Sequence, residues 1–426
     1  HLVINSSPRK NHLGMITSSL SPMCKVVRIH PNAVTANKTR RPAADHKAVR
    51  QAVDLTQLES DLADRSHALV GDRLYTMTSD PLERENAREY VVAINVVNGK
   101  EIWRQPIGPL FKDGQGGHGP RATPTVVGKT LYTLGGHGNI VALELSTGKL
   151  LWEKNLVSDF GSKIPTWGYS ASPLVVEDTL YLDAGGSLNR GLIALNTQDG
   201  SLRWSNGDFK TGYSSPVLVK IENKAQVIFF PAEFLVSTDP RTGKIFWKKP
   251  WDTRYDVNAA TPILMNKDKL FISTAYGTGA AMLQLGIEEN KPTVKELWNK
   301  KTMRNKMATS IAHEGYIYGF DESELRCVDA KTGEPAWSQE QKGKGTLIYA
   351  DNYLIVLGQE CKLSMVKASP VGYFRAGEIQ VLGDLCWTVP SLSNGVLYMR
   401  DLHQMTALRI GTSPKAPQPT NTEKPK

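Results

Sequence analysis

Cysteine is scarce in this 426-residue sequence, which contains four: Cys24, Cys327, Cys361 and Cys386. No two of them form the CxxC or CxxCH units that hold zinc or attach a c-type haem. They are also too few and too scattered for the disulfide framework that stabilises small secreted domains. The sequence therefore argues against zinc knuckles, attached haem and a disulfide-dominated fold, and we expect no metal site.

The sequence also lacks long apolar runs, and its central part carries almost no net charge. No run of about 18 apolar residues offers a transmembrane segment, and 40% hydrophobic with 22% charged residues suits an ordered globular chain. The formal net charge of +9 comes from the ends: residues 1–65 carry ten Lys or Arg and five Asp or Glu, and residues 412–426 carry three and one. Because the body between them is nearly neutral, we favour solvated basic tails and expect no nucleic-acid partner.

What the sequence does contain is a repeat. Five segments, of which ALELSTGKLLW is one, place a polar residue four positions before a glycine and eight before a tryptophan. The five sets are Asn95, Gly99, Trp103; Glu144, Gly148, Trp152; Asn196, Gly200, Trp204; Asp239, Gly243, Trp247; and Asp329, Gly333, Trp337. A sixth segment ends at Trp298 after a longer turn. Since Asn or Asp can accept amide hydrogen bonds in a turn and glycine supplies positive φ, each segment predicts a tight hairpin. We expect the tryptophan to start the outer strand and to pack between neighbouring units.

A second pattern precedes each turn. It is a Thr-Pro or Ser-Pro followed by alternating apolar residues and a Leu-Tyr-like pair, clear at residues 124–132, 173–181, 262–271 and 390–398 and looser at four other places. Two hairpins in each unit give four strands, and eight units predict an all-β fold, an eight-bladed β-propeller of four-stranded antiparallel blades. Closing the ring hides the sheet edges that an open array would expose.

These repeats resemble those of the PQQ-like repeat propellers, named after pyrroloquinoline quinone (PQQ). The superfamily includes the quinoprotein alcohol dehydrogenases and the lipoprotein of the outer-membrane β-barrel assembly machinery. The resemblance covers about residues 66–411 and is much more specific for fold than for function. We accordingly divide the chain into an atypical, poorly ordered N-terminal segment (1–65), the propeller (66–411) and a disordered C-terminal tail (412–426).

The N-terminal segment departs from the family pattern. The resemblance implies that this segment supplies the outer strand of the last blade, whose own unit lacks a turn-and-tryptophan half. Residues 1–65 contain no tryptophan, however, residues 31–47 read as disordered, and residues 52–64 read as a short helix. Two explanations stay open. The segment is a real appendage beside an eighth blade that closes differently, or it is not the segment with which the fold evolved, as after a shifted reading frame.

In a propeller the inner strand of each blade begins near the mouth of the central channel. Residues three or four positions before the Thr-Pro-like pairs should therefore surround that mouth. This count, together with the motifs GGHGPRATP, TWGYSASP and AYGTGAAML, gives candidate cofactor- or partner-binding residues: His118, Arg121, Trp167, Tyr169, Ser170, Tyr213, Asn258, Tyr276, Lys306, Lys344 and Trp387. The structural alternative is that they line a water-filled funnel, form glycine-rich turns or pack between blades. We favour it in general, and for Trp167 the choice stays open.

A planar anionic ligand is the functional hypothesis for four of these residues. The resemblance suggests PQQ, which carries three carboxylates and stacks on a tryptophan, and Arg121, Lys306, Lys344 and Trp387 would suit such a ligand. The adjacent cysteines typical of quinoprotein alcohol dehydrogenases are missing, and no compact acidic loop announces a Ca²⁺ site. No catalytic residue is assigned.

The remaining acidic and thiol groups carry weaker expectations. Asp183, Glu233 and Asp321 lie in comparable parts of their blades, where acidic residues at strand ends are usually solvated. Cys327 and Cys361 lie near the third strands of adjacent blades, and we favour two buried thiols over a disulfide.

By omission, the sequence favours a non-catalytic binding or scaffold propeller for a protein, peptide or polymer of the cell envelope. On this reading we expect a monomer without a cofactor, and by resemblance a periplasmic or secreted one, although no signal peptide is visible. The alternative is a PQQ-dependent dehydrogenase that uses Ca²⁺ and oxidises an alcohol, including a polymeric one as polyvinyl alcohol dehydrogenases do.

Overall fold

Antiparallel strands joined by turns, with longer connections between blades, build most of the described chain. The computed structural model describes residues 67–113, 115 and 117–410, together with the backbone of two short strands, β1 (Leu2–Val3) and β2 (Val27–Ile29). The predicted helix at 52–64 and the predicted tail at 412–426 lie outside the described residues. Among the described residues, no helix has both the length and the apolar character to cross a membrane.

The first four blades each contain four strands that follow one another in the chain. Blade 1 has β3 (Ala68–Val70), β4 (Arg73–Ser79), β5 (Arg88–Asn95) and β6 (Glu101–Pro109). Blade 2 has β7 (Thr125–Val127), β8 (Thr130–Leu134), β9 (Asn139–Glu144) and β10 (Leu150–Asn155). Blade 3 has β11 (Leu174–Val176), β12 (Thr179–Asp183), β13 (Leu192–Asn196) and β14 (Leu202–Asn206). Blade 4 has β15 (Val217–Ile221), β16 (Lys224–Phe229), β17 (Phe234–Thr238) and β18 (Ile245–Pro250).

The second half repeats this arrangement and completes the eight blades. Blade 5 has β19 (Ile263–Met265), β20 (Lys269–Thr274), β21 (Gly279–Glu288) and β22 (Lys291–Lys300). Blade 6 has β23 (Ile311–His313), β24 (Tyr316–Asp321), β25 (Glu324–Asp329) and β26 (Pro335–Glu340). Blade 7 has β27 (Gly345–Ala350), β28 (Tyr353–Gly358), β29 (Lys362–Lys367) and β30 (Arg375–Gln380), and blade 8 has β31 (Ser391–Ser393), β32 (Val396–Arg400) and β33 (Met405–Arg409). The described helices are α1 (Leu156–Phe160) and a 3₁₀ turn (Arg254–Asp256). The prediction of an eight-bladed propeller of four-stranded blades is confirmed.

The N-terminal strands join the two blades that close the ring. β2 pairs with β33 and so becomes the fourth strand of blade 8, while β1 pairs with β4 of blade 1. Both pairings are parallel, whereas the remaining strand pairs of the blades, including those within blades 1 and 8, are antiparallel. The N-terminal segment thus contributes the outer strand that the family resemblance implied.

The chain order of the strands separates two faces of the propeller. Since consecutive strands are antiparallel, the connections between blades and the loops between second and third strands share one face. The turns between first and second and between third and fourth strands lie on the other. Hydrogen bonds at the start of the first strands join neighbouring blades, from Thr125 Oγ1 to the Pro173 carbonyl (2.7 Å) and from the Thr123 amide to Ser172 Oγ (3.0 Å). We call the face with the inter-blade connections the rim face.

The repeated tryptophan and glycine are partners across neighbouring blades. The Trp152 ring lies on Gly200 of the next blade, where an added Cβ would lie 2.8 Å from the ring. The Trp152 indole N–H donates to the Thr197 carbonyl (2.8 Å), in the turn that contains that glycine. The same arrangement joins Trp103 to Gly148, Trp204 to Gly243 and Trp298 to Gly333. The prediction that these tryptophans pack between neighbouring units is confirmed.

Trp247 is the exception among the repeated tryptophans, and its neighbour explains why. The facing hairpin in blade 5 has two ten-residue strands, β21 and β22, joined by the two-residue turn Glu289–Asn290 in place of the glycine motif, so the longer turn predicted before Trp298 is wrong. The Trp247 indole nitrogen is buried and has no hydrogen-bond partner among the described residues. Trp337 also faces a turn without the glycine motif, but its indole N–H donates to the Ser369 carbonyl (2.7 Å), so the acceptor does not by itself require the glycine.

A buried arginine and an apolar cluster close the ring between blade 8 and blade 1. Arg400 donates to Thr388 Oγ1 (3.0 Å), Thr76 Oγ1 (3.3 Å) and the Met77 carbonyl (3.2 Å). Burial lowers the pKa of Arg400 to about 9. Buried apolar side chains of both blades pack beside it: Leu74, Val92, Ile94, Tyr398, Met405 and Ala407. The junction between blade 8 and blade 1 is therefore packed like a hydrophobic core.

Two Gly→Ala substitutions separate the inter-blade contact from backbone strain. Gly243 and Gly395 both have φ +70°, but an added Cβ overlaps the Trp204 ring at Gly243 and meets nothing within 4 Å at Gly395. Gly395→Ala should cost only the left-handed φ, about 1 kcal/mol. Gly243→Ala should cost about 1–3 kcal/mol more, because the ring must move. Urea midpoints measure the difference, and equal losses would contradict the contact.

Candidate functional site

The sequence-predicted residues fall into two groups on the rim face. Side chains near the surface, from successive inter-blade connections, follow one another around the channel mouth. Others from the same connections are buried beneath it.

Arg121 and His118 organise the connection between blades 1 and 2. The Arg121 guanidinium lies 2.5 Å from an Asp113 carboxylate oxygen, and both side chains are about nine-tenths buried. It also lies over the Phe111 ring, at 5.4 Å from the centroid. His118 Nδ1 accepts a hydrogen bond from the Asp113 amide (2.9 Å). Burial lowers the pKa of Arg121, and Asp113 opposes that shift. The charge of Arg121 is therefore balanced within its own loop.

Tyr169 and Asn258 do not line the mouth, which corrects the expectation from counting. Tyr169 is 1% exposed and its hydroxyl donates to the Lys163 carbonyl (3.3 Å). Asn258 is 0% exposed and donates to the Pro231 (2.7 Å) and Ala232 (3.0 Å) carbonyls. Because both polar groups are satisfied inside the protein, neither side chain presents a surface to a ligand.

Buried carboxylates hold the rim connections from below. Glu89 accepts hydrogen bonds from the Phe111 (3.2 Å) and Gly136 (2.9 Å) amides, and burial raises its pKa to about 7. Asp183 accepts from the Gly212 amide (2.8 Å), and burial raises its pKa to about 7 as well. The amide donors act against these shifts, since they stabilise the charged form.

The expectation that acidic residues at strand ends are solvated is wrong for two of the three positions. Asp183 and Asp321 are 2% and 1% exposed. Asp321 pairs with Arg304 and Arg326. Glu233 does lie at the surface, where it pairs with Lys210 (2.7 Å). The two buried acids sit where a strand ends beneath an inter-blade connection, so their partners are loop amides and arginines.

An aromatic row crosses the rim face over blades 2 to 5. We define it as Trp167, Tyr213, Tyr255 and Tyr276, of which Tyr213 is buried. The centroid of the Trp167 ring lies 6.0 Å from the Tyr213 centroid and 6.5 Å from the Tyr255 centroid. The Tyr255 and Tyr276 centroids lie 5.5 Å apart. At one end, the Trp167 indole N–H donates to Gln115 Oε1 (3.1 Å).

Two of the four residues of the aromatic row have a left-handed backbone. Tyr255 and Tyr276 have φ +71° and +59°, a region that bulky residues rarely adopt. Tyr255 is 53% exposed, so the strain holds a large apolar ring in solvent. Strain of this kind persists where the surroundings enforce it and is concentrated at binding sites.

Lys306, Lys344 and Trp387 come together in one pocket at the other end of the row. We call it the lysine pocket; it is a small recess that is partly open to solvent. The residues that line it are Lys306, Met307, Ala308, Phe320, Glu322, Lys344, Gly345, Thr346 and Trp387. The Lys306 ammonium lies 5.0 Å from the centroid of the Tyr276 ring, which links pocket and row. Burial and the neighbouring Lys306 lower the pKa of Lys344 to about 8.

A disulfide fixes the connection that carries Trp387, which corrects the expectation for the cysteines. Cys361 is bonded to Cys386, with Cα atoms 5.2 Å apart, while Cys327 is a buried free thiol. The Cys386 amide donates to the Gln359 carbonyl (3.0 Å), and the Trp387 indole N–H donates to Gln359 Oε1 (3.3 Å). The disulfide thus ties the Trp387 connection to the loop before β29.

Sequence reasoning missed Tyr255, Glu322 and the Cys361–Cys386 pair. Tyr255 lies seven positions before Pro262, whereas the count stopped at Asn258. An exposed aromatic within the WDTRYD segment was the available signal. Among the described residues, no group of three or more His, Cys, Asp or Glu side chains could hold a metal ion.

Comparison with known proteins places the chain among propellers of two kinds. Residues 87–339, more than half of the chain, match the sequence profile of the family described as outer membrane protein assembly factor BamB. BamB from Moraxella catarrhalis aligns with a TM-score of 0.51 and 14% identity, over 82% of this chain and 95% of that one. Quinohemoprotein alcohol dehydrogenase from Comamonas testosteroni aligns with a TM-score of 0.53 and 14% identity, over 79% and 70%.

A third structure shows that the likeness is one of fold. The computationally designed Ika8 protein aligns with a TM-score of 0.51 and 8% identity, over 82% of this chain and 95% of that one. Among curated proteins, none matches the sequence.

Removing one ammonium from the lysine pocket should stabilise the protein. We expect Lys344→Met to raise the melting temperature by about 1 °C or more at pH 7, because it relieves repulsion and burial of a charge. The gain should shrink between pH 8 and 10, since the unfolded chain binds more protons there and the parent protein gains stability as pH rises. Lys342→Met, an exposed lysine of the same connection, is the matched control. A lower melting temperature for Lys344→Met alone would contradict the analysis.

Proposed function

The chain belongs to the family described as outer membrane protein assembly factor BamB, and on that premise we propose that it is a non-catalytic binding propeller. Its rim face holds an extended protein, peptide or polymer of the cell envelope. The observation that carries the proposal is the aromatic row, with Tyr255 held in solvent by a strained backbone and the lysine pocket at one end. Aromatic rings offer large contact area at low entropic cost.

The disulfide supports an oxidising compartment for this function. Cys361–Cys386 joins two loops of the rim face, and disulfides persist mainly in secreted and periplasmic proteins. The name of the family also points to the envelope. We propose a periplasmic or secreted monomer whose partner lies along the rim face.

A photo-crosslinking phenylalanine analogue tests which face is used. At Tyr255 it should crosslink to a partner chain in envelope preparations, and Trp167→Ala should reduce the yield at least several-fold because it removes a neighbouring ring of the row. The control position is Phe374, which is 51% exposed in the turn between β29 and β30 on the opposite face. Crosslinks from Phe374 but not from Tyr255 would refute the proposed surface.

A PQQ-dependent dehydrogenase is the second candidate, and one observation favours it. Lys306, Lys344 and Trp387, three of the four residues that suited a planar anion, line the same pocket. Two ammonium groups could bind carboxylates of the quinone and Trp387 could stack on it. PQQ would supply a quinone that accepts two electrons from an alcohol. Arg121, the fourth residue, is paired with Asp113. This candidate function also requires Ca²⁺, and the described residues include no cluster of acidic ligands that could hold it.

Titration with PQQ and Ca²⁺ separates the two candidates. For a binding propeller we expect no saturable quenching of tryptophan fluorescence at micromolar PQQ and no dye-linked alcohol oxidation. The dehydrogenase would be favoured by two results together. The parent protein would show saturable quenching that Lys344→Met abolishes, and it would oxidise alcohol.

A further inference from the structure

Two like charges share the lysine pocket. Lys306 and Lys344 come from consecutive inter-blade connections and line the same half-buried space. Two ammonium groups in a site of reduced dielectric repel each other more strongly than they would in water. Such an arrangement lowers stability unless an anion lies between the charges.

The carboxylate of the pocket is already engaged. Glu322 is the one acidic residue among the side chains that line the pocket, and its Oε1 accepts a hydrogen bond from the Tyr276 amide (3.3 Å). That bond supports the strained turn of Tyr276. One carboxylate against two ammonium groups leaves the pocket with a net positive charge.

Other cations of the rim face are balanced differently. Arg121 pairs with Asp113, and Arg304 and Arg326 pair with Asp321. Within the part of the chain that the structure describes, neither lysine of the pocket forms a salt bridge with a carboxylate, and Glu322 acts on both through its charge alone. The lysine pair is therefore a half-buried positive charge of the rim face that an incoming anion could neutralise, whereas Lys301, Lys342 and Arg254 are exposed to solvent.

The walls of the pocket restrict what this anion can be. Phe320, Met307 and Trp387 provide apolar surface. The Thr346 hydroxyl donates to the Thr388 carbonyl (3.2 Å), and the Trp387 indole N–H donates to Gln359. The charged donors of the pocket are the two ammonium groups, which match the two oxygens of a carboxylate on a short apolar stem.

We propose that the lysine pocket binds a carboxylate carried by an extended polypeptide, an Asp or Glu side chain or a terminal carboxylate, whose neighbouring residues lie on the aromatic row. The inference rests on the proposed binding function and names the chemistry that the partner must offer. The contact between Lys306 and Tyr276 makes pocket and row one continuous surface. The acidic group fixes the register of the bound chain, and the rings contribute contact area.

Chemical footprinting of the lysines tests the proposal. The probe is the capped hexapeptide Gly-Glu-Ala-Tyr-Ala-Gly, its neutral control has Gln in place of Glu, and glutarate is a free carboxylate. Acetylation rates are measured by mass spectrometry, with the exposed Lys301 and Lys342 of the same connections as internal references. We expect the Glu peptide at millimolar concentration to slow acetylation of Lys306 and Lys344 at least threefold, the Gln peptide to have no effect, and glutarate to require a much higher concentration.

The other outcomes overturn the inference in distinguishable ways. Equal protection by the Glu and Gln peptides, or no protection by either, would show that the pocket does not select a carboxylate. Protection by glutarate at the same concentration as by the peptide would show that the site takes a free small acid. In each case crosslinking from Tyr255 would still decide the proposed function independently.

Matched variants give a second measurement. Affinity for the Glu peptide, measured by calorimetry, should fall in Lys344→Met to that for the Gln peptide and stay unchanged in Lys342→Met. An equal loss in both variants would mean that general surface charge, not the pocket, attracts the peptide. Because Lys344→Met is expected to stabilise the fold, a loss of binding cannot be assigned to unfolding, and melting curves verify this.

Discussion

The contact between a tryptophan of one blade and a glycine of the next is the interaction on which this propeller depends. It combines burial of a large ring, an indole hydrogen bond and the absence of a Cβ. No single part would suffice, since the ring needs the space that glycine leaves and the N–H needs the carbonyl of the same turn. Present at four of the junctions between described blades, the contact fixes neighbouring sheets against each other on the face opposite the rim.

This division leaves the rim face for binding. The rim connections do not carry the inter-blade tryptophan contacts, so their sequences can differ from blade to blade. They are held instead by the buried carboxylates Glu89, Asp183 and Asp321, and in one place by the Cys361–Cys386 disulfide. The left-handed conformation of Tyr255 and the like-charge pair of the lysine pocket both cost stability.

The sequence was sufficient for the fold because the tryptophan–glycine spacing reports a contact repeated from blade to blade. It was less informative for the site, where the same count reached Lys306, Lys344 and Trp387 at the surface but Tyr169 and Asn258 in the interior. The inter-blade connections differ in length and path, so equal distance from a Thr-Pro pair does not mean equal depth.

The disulfide shows a second limit of sequence reasoning. Its cysteines are 25 positions apart on different loops, and only the packing of blade 7 against the connection to blade 8 brings them together.

The central claim, that the rim face is the binding surface, is tested most directly by hydrogen exchange with the Glu peptide bound. Protection should be confined to the connections around Tyr255, Lys306, Lys344 and Trp387. Protection confined to the tryptophan-bearing outer strands would contradict it.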